Sequence, residues 1–463
     1  MNNLTHVIAA VSTPPGKGGV AIIRMSGYGA AEIAERVFFP ISGRKFSEYK
    51  PREQVYGYII EDGERIDDVL ATRFPAPHSY TGEDTVEIGC HGGILVTRTV
   101  LEALLRAGAV PAEAGEFTRR AFINGRLSLT EAEAISDLLE AKSREQIRLS
   151  GGDARARLSG KIAEIRGGLV SLMSSIYARI DYPDEDLGDF TDEQVLSSLY
   201  NIEGECKRLL STYRTGRAIS EGINTVICGK PNAGKSSLYN LLLGEDAAIV
   251  TDIPGTTRDV LTSLVPLGRV MLKIADTAGI RDNEEMDTVE RIGVTKSRQM
   301  IEKSELLFAI FDTSRPFDEE DELIIQAASA TDSPKIALLN KSDLPQVIDE
   351  GRFDNFDAVI KISAKTAEVE AISALSYVVN RLFTDEKIKV GQDAIISSAR
   401  QHAALTRCLD FVRAANESLE LGFSQDAASS DVERALGAIS ELDGRAVSEE
   451  IVSDIFAKFC VGK

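Results

Sequence analysis

Gly229-Lys230-Pro231-Asn232-Ala233-Gly234-Lys235-Ser236 is the stretch on which the fold turns. An apolar run, Thr225–Cys228, leads into it, and a helical pattern, Ser237–Leu243, leads out. Glycines in a strand-to-helix turn let backbone amides curl around phosphate oxygens, and the amino end of the helix adds positive potential. Lys235 is expected to reach the β- and γ-phosphates, and the Ser236 hydroxyl to bind magnesium. An ordinary glycine-rich turn has no use for Lys and Ser at those places. Asn232, Ala233, Gly234, Lys235, Ser236 and Ser237 are therefore the expected cradle of a bound nucleotide.

Three further motifs follow in order. Ile274-Ala275-Asp276-Thr277-Ala278-Gly279 ends an apolar strand on an acidic residue. Asp276 there fits a water-mediated magnesium contact and the Gly279 amide fits the γ-phosphate. Between this motif and the phosphate loop, Thr251-Asp252-Ile253-Pro254-Gly255-Thr256-Thr257 is counted with the nucleotide-binding residues, and Thr257 is the expected second magnesium-binding hydroxyl. Asn340-Lys341-Ser342-Asp343 follows the strand Lys335–Leu339. Asp343 can accept two hydrogen bonds from the guanine ring N–H and exocyclic amine, which adenine cannot supply; the wrong base leaves a carboxylate unpaired. Ser363-Ala364-Lys365, after the next strand, fits the backbone contact to the guanine oxygen. GTP, not ATP, is the expected ligand. Ile280 stands where many small GTPases place a water-orienting Gln, and an aliphatic side chain cannot do that work. Either hydrolysis is very slow or another group serves.

Around these motifs the short apolar strands Thr225–Cys228, Val270–Ala275, Leu306–Phe311, Lys335–Leu339 and Val359–Ile362 alternate with helical stretches. That alternation predicts a doubly wound parallel sheet over residues 218–384. Residues 1–121 read as mixed strand and helix, with strands at Val20–Met25 and Thr85–Ile88 and a helix over Leu95–Ala107 ended by Gly108. Residues 122–217 and 385–463 are helical. In the first of these, Thr130-Glu131-Ala132-Glu133 has capping-box spacing, and Asp181–Asp186 breaks the run. The expected fold is thus a multidomain α/β and α protein, with a doubly wound G domain inserted into a helical bundle domain behind an α+β amino-terminal domain.

At 463 residues the chain is too long for one ordinary domain. It has no apolar run long enough to span a bilayer, and no export signal is visible at its start. Its five cysteines, Cys90, Cys206, Cys228, Cys408 and Cys460, never form a Cys-x-x-Cys pair. A disulfide framework or structural zinc site is not expected, and a reducing cytoplasm is. The net charge of −20 argues against wrapping by nucleic acid through bulk electrostatics, while leaving a local contact to RNA open.

Pro14–Gly19, Tyr80-Thr81-Gly82-Glu83-Asp84, Gly115–Phe122, Asp276–Arg281, Val289-Glu290-Arg291-Ile292-Gly293 and the terminal Phe459-Cys460-Val461-Gly462-Lys463 carry a resemblance along essentially the whole chain. The chain resembles the MnmE (TrmE) family of bacterial tRNA-modification GTPases. The resemblance implies a folate-binding amino-terminal domain that dimerises. It also implies a flavin-containing partner, MnmG (GidA), in a heterotetramer. With it the family adds an aminomethyl-type group (carboxymethylaminomethyl in the full form) to carbon 5 of the wobble uridine of tRNA, using a methylene-tetrahydrofolate carbon.

By motif, the resemblance places the tetrahydrofolate site at Arg24, Glu87, Arg126 and Lys463, and the catalytic glutamate at Glu290, which answers the absence of a Gln at Ile280. It gives Cys460 a role in the modification centre. It also implies potassium at Asn232, with backbone carbonyls of Thr251, Ile253 and Thr256, when two G domains meet. Taken singly, Arg24, Arg126 and Glu290 would read as surface charges, and Asn232 as a residue that fits a tight turn.

A competing reading is a ribosome-assembly or regulatory GTPase that merely switches state. No RNA-binding module or tandem G domain is visible to support it, and the folate-like half has no place in it. A stand-alone folate enzyme conflicts with the intact set of GTP motifs.

Overall fold

The structure, a computed structural model, describes residues 6–181, 191–243, 262–275, 301, 303–364, 369–457 and 459–462. The chain divides into two compact units. One holds Met1–Leu139, Ile162–Glu185 and Ser429–Lys463, and the other holds Glu140–Lys161 and Asp186–Ala428.

In the first unit a single sheet is built from β1 (Ile8–Val11), β2 (Val20–Ser26), β3 (Phe38–Pro40), β4 (Gln54–Glu61), β5 (Glu64–Phe74), β6 (Thr85–His91) and β7 (Val110–Pro111). Their order is β3-β4-β5-β6-β2-β1-β7. Every pairing is antiparallel except β1 with β7. Alternation in β6 sends Val86, Ile88 and Cys90 into a core shared with Val100, Ala103 and Leu104 of the helix Ile94–Arg106. A one-residue slip would turn this whole row outward, so the register is firmly specified. Both expected strands and the expected helix in this region are present.

Two of the motifs that carry the resemblance, Tyr80–Asp84 and Gly115–Phe122, meet here. Arg120, 2% exposed, donates to Glu116 Oε1 at 2.8 Å and Glu83 Oε2 at 3.2 Å, and Ser26 donates to Glu83 at 2.7 Å. The Tyr80 hydroxyl lies 2.9 Å from that of Thr118. Gly115 adopts φ +66°, and a Cβ there would stand 2.4 Å from the Phe456 carbonyl oxygen. Close packing of backbone on backbone requires the glycine.

The helix Leu129–Glu140 is capped two residues earlier than its sequence suggests. Glu131 N donates to Ser128 Oγ at 3.2 Å, and Ser128 N donates to Glu131 Oε2 at 2.8 Å, the reciprocal pattern of a capping box. Thr130, the expected cap, is buried and donates instead to the Leu442 carbonyl at 2.5 Å. A tertiary acceptor has claimed the hydroxyl that local spacing assigned to the cap. Leu129 and Ala132 then pack with Phe456 and Phe459 from the carboxyl end of the chain.

In the second unit β8 (Ile223–Gly229), β9 (Thr262–Leu267), β10 (Val270–Ala275), β11 (Leu306–Asp312), β12 (Lys335–Asn340) and β13 (Ala358–Lys361) form a sheet ordered β13-β12-β11-β8-β10-β9. It is parallel apart from β9, which pairs antiparallel with β10 at one edge. β11 is buried over its whole length, as a central strand covered on both faces must be. Leu306, Phe308 and Ile310 pack on one side with Leu238, Leu242, Leu375 and Val379. Leu307, Ala309 and Phe311 pack on the other with Ile325, Ala328, Phe353 and Phe356. Helices Lys235–Leu243 and Val369–Phe383 thus cover one face and Glu319–Ser329 the other. Beside this sheet, helices Asp192–Ser211 and Ala399–Glu420 are joined by Glu203, which accepts from Arg413 at 3.2 Å and Asn416 at 3.0 Å. Among the described residues no helix is long and apolar enough to cross a membrane.

Candidate functional site: a nucleotide cradle and a second polar cluster

In the sheet β8 lies between β10 and β11, and open α/β sheets form their ligand crevices outside the carboxyl ends of the parallel strands. The loop after β8 lies there. Asn232 is exposed with φ +61°, and Gly234 has φ +107°. A Cβ at Gly234 would fall 2.0 Å from Asn340 Nδ2, so no larger residue fits beneath the loop. Lys235 opens the helix, and its ammonium donates to the carbonyls of Gly229 and Lys230, 2.8 Å each. Burial lowers its pKa from the ordinary lysine value. Ser236 and Ser237 are exposed at the helix start.

Asn340 ends β12, is 3% exposed, and ties three segments together. Its Nδ2 donates to the Ala233 carbonyl at 2.7 Å, and its Oδ1 accepts from Ala364 N at 3.0 Å. Thr313 Oγ1 donates to the Asn340 carbonyl at 2.9 Å. Lys341 takes φ +64° and its ammonium donates to Asp312 Oδ2 at 2.6 Å. Asp312 also accepts from Ser314 at 2.6 Å. Burial raises the pKa of the Asp312 carboxyl, and these hydrogen bonds outweigh it, holding the group below its ordinary value. Asp343 is exposed, its carboxylate oriented by a 2.8 Å hydrogen bond from the buried Ser363 hydroxyl. Asn232 to Ser237, Asn340, Lys341, Asp343, Ser363 and Ala364 therefore line one end of one sheet. Asp312 and Thr313 were missed from sequence; the signal was an acidic residue closing a fully apolar strand, as at Asp276.

Thr251, Asp252, Ile253, Pro254, Gly255, Thr256, Thr257, Asp276, Thr277, Ala278, Gly279, Ile280, Glu290, Lys365 and Lys463 lie outside the described residues.

A second cluster lies on the sheet of the first unit. Arg24 and Glu87 face each other across β2 and β6, with Arg24 Nε donating to Glu87 Oε1 at 2.9 Å and a second nitrogen at 2.8 Å. The guanidinium is 5.4 Å from the Tyr80 ring centroid and 5.8 Å from that of Phe117. Arg126 is exposed and runs along Gly82 of the same loop, where an added Cβ would meet its Cγ at 3.1 Å. The carboxyl-terminal tail is seated on this unit too. Ala114 bridges to Val461, and Ser12 Oγ donates to the Gly462 carbonyl at 3.0 Å. Cys460 is a free, exposed thiol.

A glycine-rich strand-to-helix loop at the carboxyl end of a doubly wound sheet, tied through Asn340 to the loop after β12, is the arrangement of a GTP-hydrolysing protein of the phosphate-loop class. Two family models match, the MnmE helical domain over residues 129–460 and the GTP-binding protein TrmE N-terminus over residues 7–126. The tRNA modification GTPase MnmE of Clostridioides difficile (strain 630) is 39% identical, with 99% of this chain and all of that protein covered. The protein of the same name from Carboxydothermus hydrogenoformans (strain ATCC BAA-161 / DSM 6008 / Z-2901) is 39% identical over 99% of this chain and all of its own. That of Heliobacterium modesticaldum (strain ATCC 51547 / Ice1) is 41% identical over 98% of this chain and 99% of its own. The chain belongs to the MnmE family of tRNA modification GTPases.

Proposed function

We propose that this chain hydrolyses GTP within a complex that modifies carbon 5 of the wobble uridine of tRNA. It works in the cytoplasm with a flavoprotein partner of the MnmG kind and a tetrahydrofolate-borne carbon. The observation that carries the reading is the Asn340 tie between the phosphate loop and the guanine loop, within a chain related over its full length to tRNA modification GTPases. The working layout is a folate and dimerisation domain over residues 1–121, a helical domain in two parts over 122–217 and 385–463, and a G domain over 218–384.

Lys235, with the helix amino end, offers an anionic phosphate a charged and a dipolar partner. Asp343 reads the guanine N–H edge. The Ser236 hydroxyl, with Thr257 and water beyond Asp276, is the hard-oxygen set that magnesium prefers, and magnesium supplies charge neutralisation on the phosphates when bound. Asn232 offers an exposed amide oxygen to potassium, alongside the carbonyls of Thr251, Ile253 and Thr256. Glu290 would position the attacking water in place of a Gln, and the Gly279 amide would meet the γ-phosphate, with Thr277 and Ala278 counted among the nucleotide-binding residues.

The polar cluster on β2 and β6 suits a folate. Glu87 is a half-open carboxylate that can accept from an aminopyrimidine edge, and Arg24 fixes it in place. Arg126 and Lys463 remain for the anionic tail, and Cys460 sits on the tail that approaches this domain.

The test is reconstitution of the purified chain with the flavoprotein, tRNA, GTP and methylene-tetrahydrofolate. Modified uridine should form, and should fail with Lys235→Ala. Equal product from the variant would remove GTP from the account.

A further inference from the structure

Lys230 was assigned no role by its motif, in which it occupies a variable position. Such a lysine ordinarily sits in water. Here it is 5% exposed, and its ammonium is held at 2.6 Å by Asp318 Oδ2 and at 2.7 Å by Asp321 Oδ2. Those two carboxylates also make the capping box of the helix Glu319–Ser329. Asp318 accepts from Glu320 N and Asp321 N, and Asp321 Oδ2 accepts from Asp318 N at 3.2 Å. A buried ammonium between two carboxylates is expensive to leave unpaired, so this contact sets where the Lys230 backbone can lie.

That backbone matters. The carbonyls of Gly229 and Lys230 are the two acceptors of the Lys235 ammonium. One residue on, the Pro231 carbonyl accepts from Arg315 at 3.4 Å. Lys230, by its side chain, and Pro231, by its carbonyl, are thus held to the segment that leads into and caps one helix.

We propose that Lys230 is a positioning residue for nucleotide binding, its ion pairs with Asp318 and Asp321 fixing the first peptides of the loop before GTP arrives. It rests on residues 229–236 being the phosphate loop. A loop held in its binding geometry loses less freedom when the phosphates dock, so the benefit falls on affinity for GTP and GDP alike. Lys230 touches no reacting atom, so turnover at saturation is spared.

The test uses the full chain, with dissociation constants for GDP and a non-hydrolysable GTP analogue, steady-state hydrolysis, and thermal unfolding. Lys230→Met should raise both constants and KM about tenfold while kcat stays within about twofold of wild type. Lys230→Met/Asp321→Asn removes the orphaned buried carboxylate. It should recover any lost melting temperature and still bind weakly, and it carries the test if the single variant does not fold. Wild-type affinity in Lys230→Met, or affinity that returns with stability in the double variant, would overturn the proposal. Lys235→Ala serves as the control. Unchanged nucleotide binding there would remove the phosphate-loop reading and this proposal with it. Lost binding there, beside normal binding in Lys230→Met, would remove this proposal alone.

Discussion

Asn340 donates its side-chain amide to the Ala233 carbonyl across 2.7 Å, joining the loop that follows β12 to the loop that follows β8. The same amide group accepts from Ala364 N, so one buried side chain sets the spacing of three loops. Asn340→Ala loses both bonds and leaves a buried carbonyl and an N–H without their partner. A loss of about 2–3 kcal/mol follows, roughly a hundredfold in dissociation constant. Titration with fluorescent GTP and GDP analogues checks it, and both should weaken together.

Asp343→Asn should exchange one base for another. The amide then presents a donor where guanine also donates, whereas xanthine offers an oxygen. GTP binding should fall and xanthosine triphosphate binding should rise, by competition titration. A variant that still prefers GTP means that Asp343 does not read the base.

Much of this was legible because the parallel strands of this sheet are short apolar runs, most of them closed by a motif. Thr225–Cys228, Leu306–Phe311 and Lys335–Leu339 have no helical alternative of that length. Partners far apart in sequence were not legible. Ser128 took the cap because the Leu442 carbonyl took Thr130, and nothing local to Lys230 announces Asp318 and Asp321. The antiparallel edge strand β9 escaped notice because it is set by the hairpin into β10 and by no motif. Arg24 and Glu87 could be named only by resemblance; their pairing needs the β2–β6 register.

Glu290→Ala should leave GTP affinity nearly intact and cut single-turnover hydrolysis by about 100-fold, the range of a positioned catalytic group. In the same assay potassium should accelerate the wild type well beyond sodium. Unaltered turnover in the variant would leave Ile280 unexplained, and equal rates in the two salts would remove the cation from Asn232.

Arg120→Met should destabilise the amino-terminal domain by about 3–5 kcal/mol, since Glu83 and Glu116 are left without their buried partner. Denaturant unfolding followed on that domain measures it. A loss below about 1 kcal/mol, the level of a surface pair, would mean that the two motifs are not held together by this contact.

The most direct measurement is mass spectrometry of tRNA nucleosides from cells lacking this protein, complemented with wild type or with Lys235→Ala. The C5-modified wobble uridine should vanish in the deletion, return with wild type, and stay absent with the variant. Unchanged wobble uridine in the deletion, or full recovery with Lys235→Ala, would contradict GTP-driven modification by this chain.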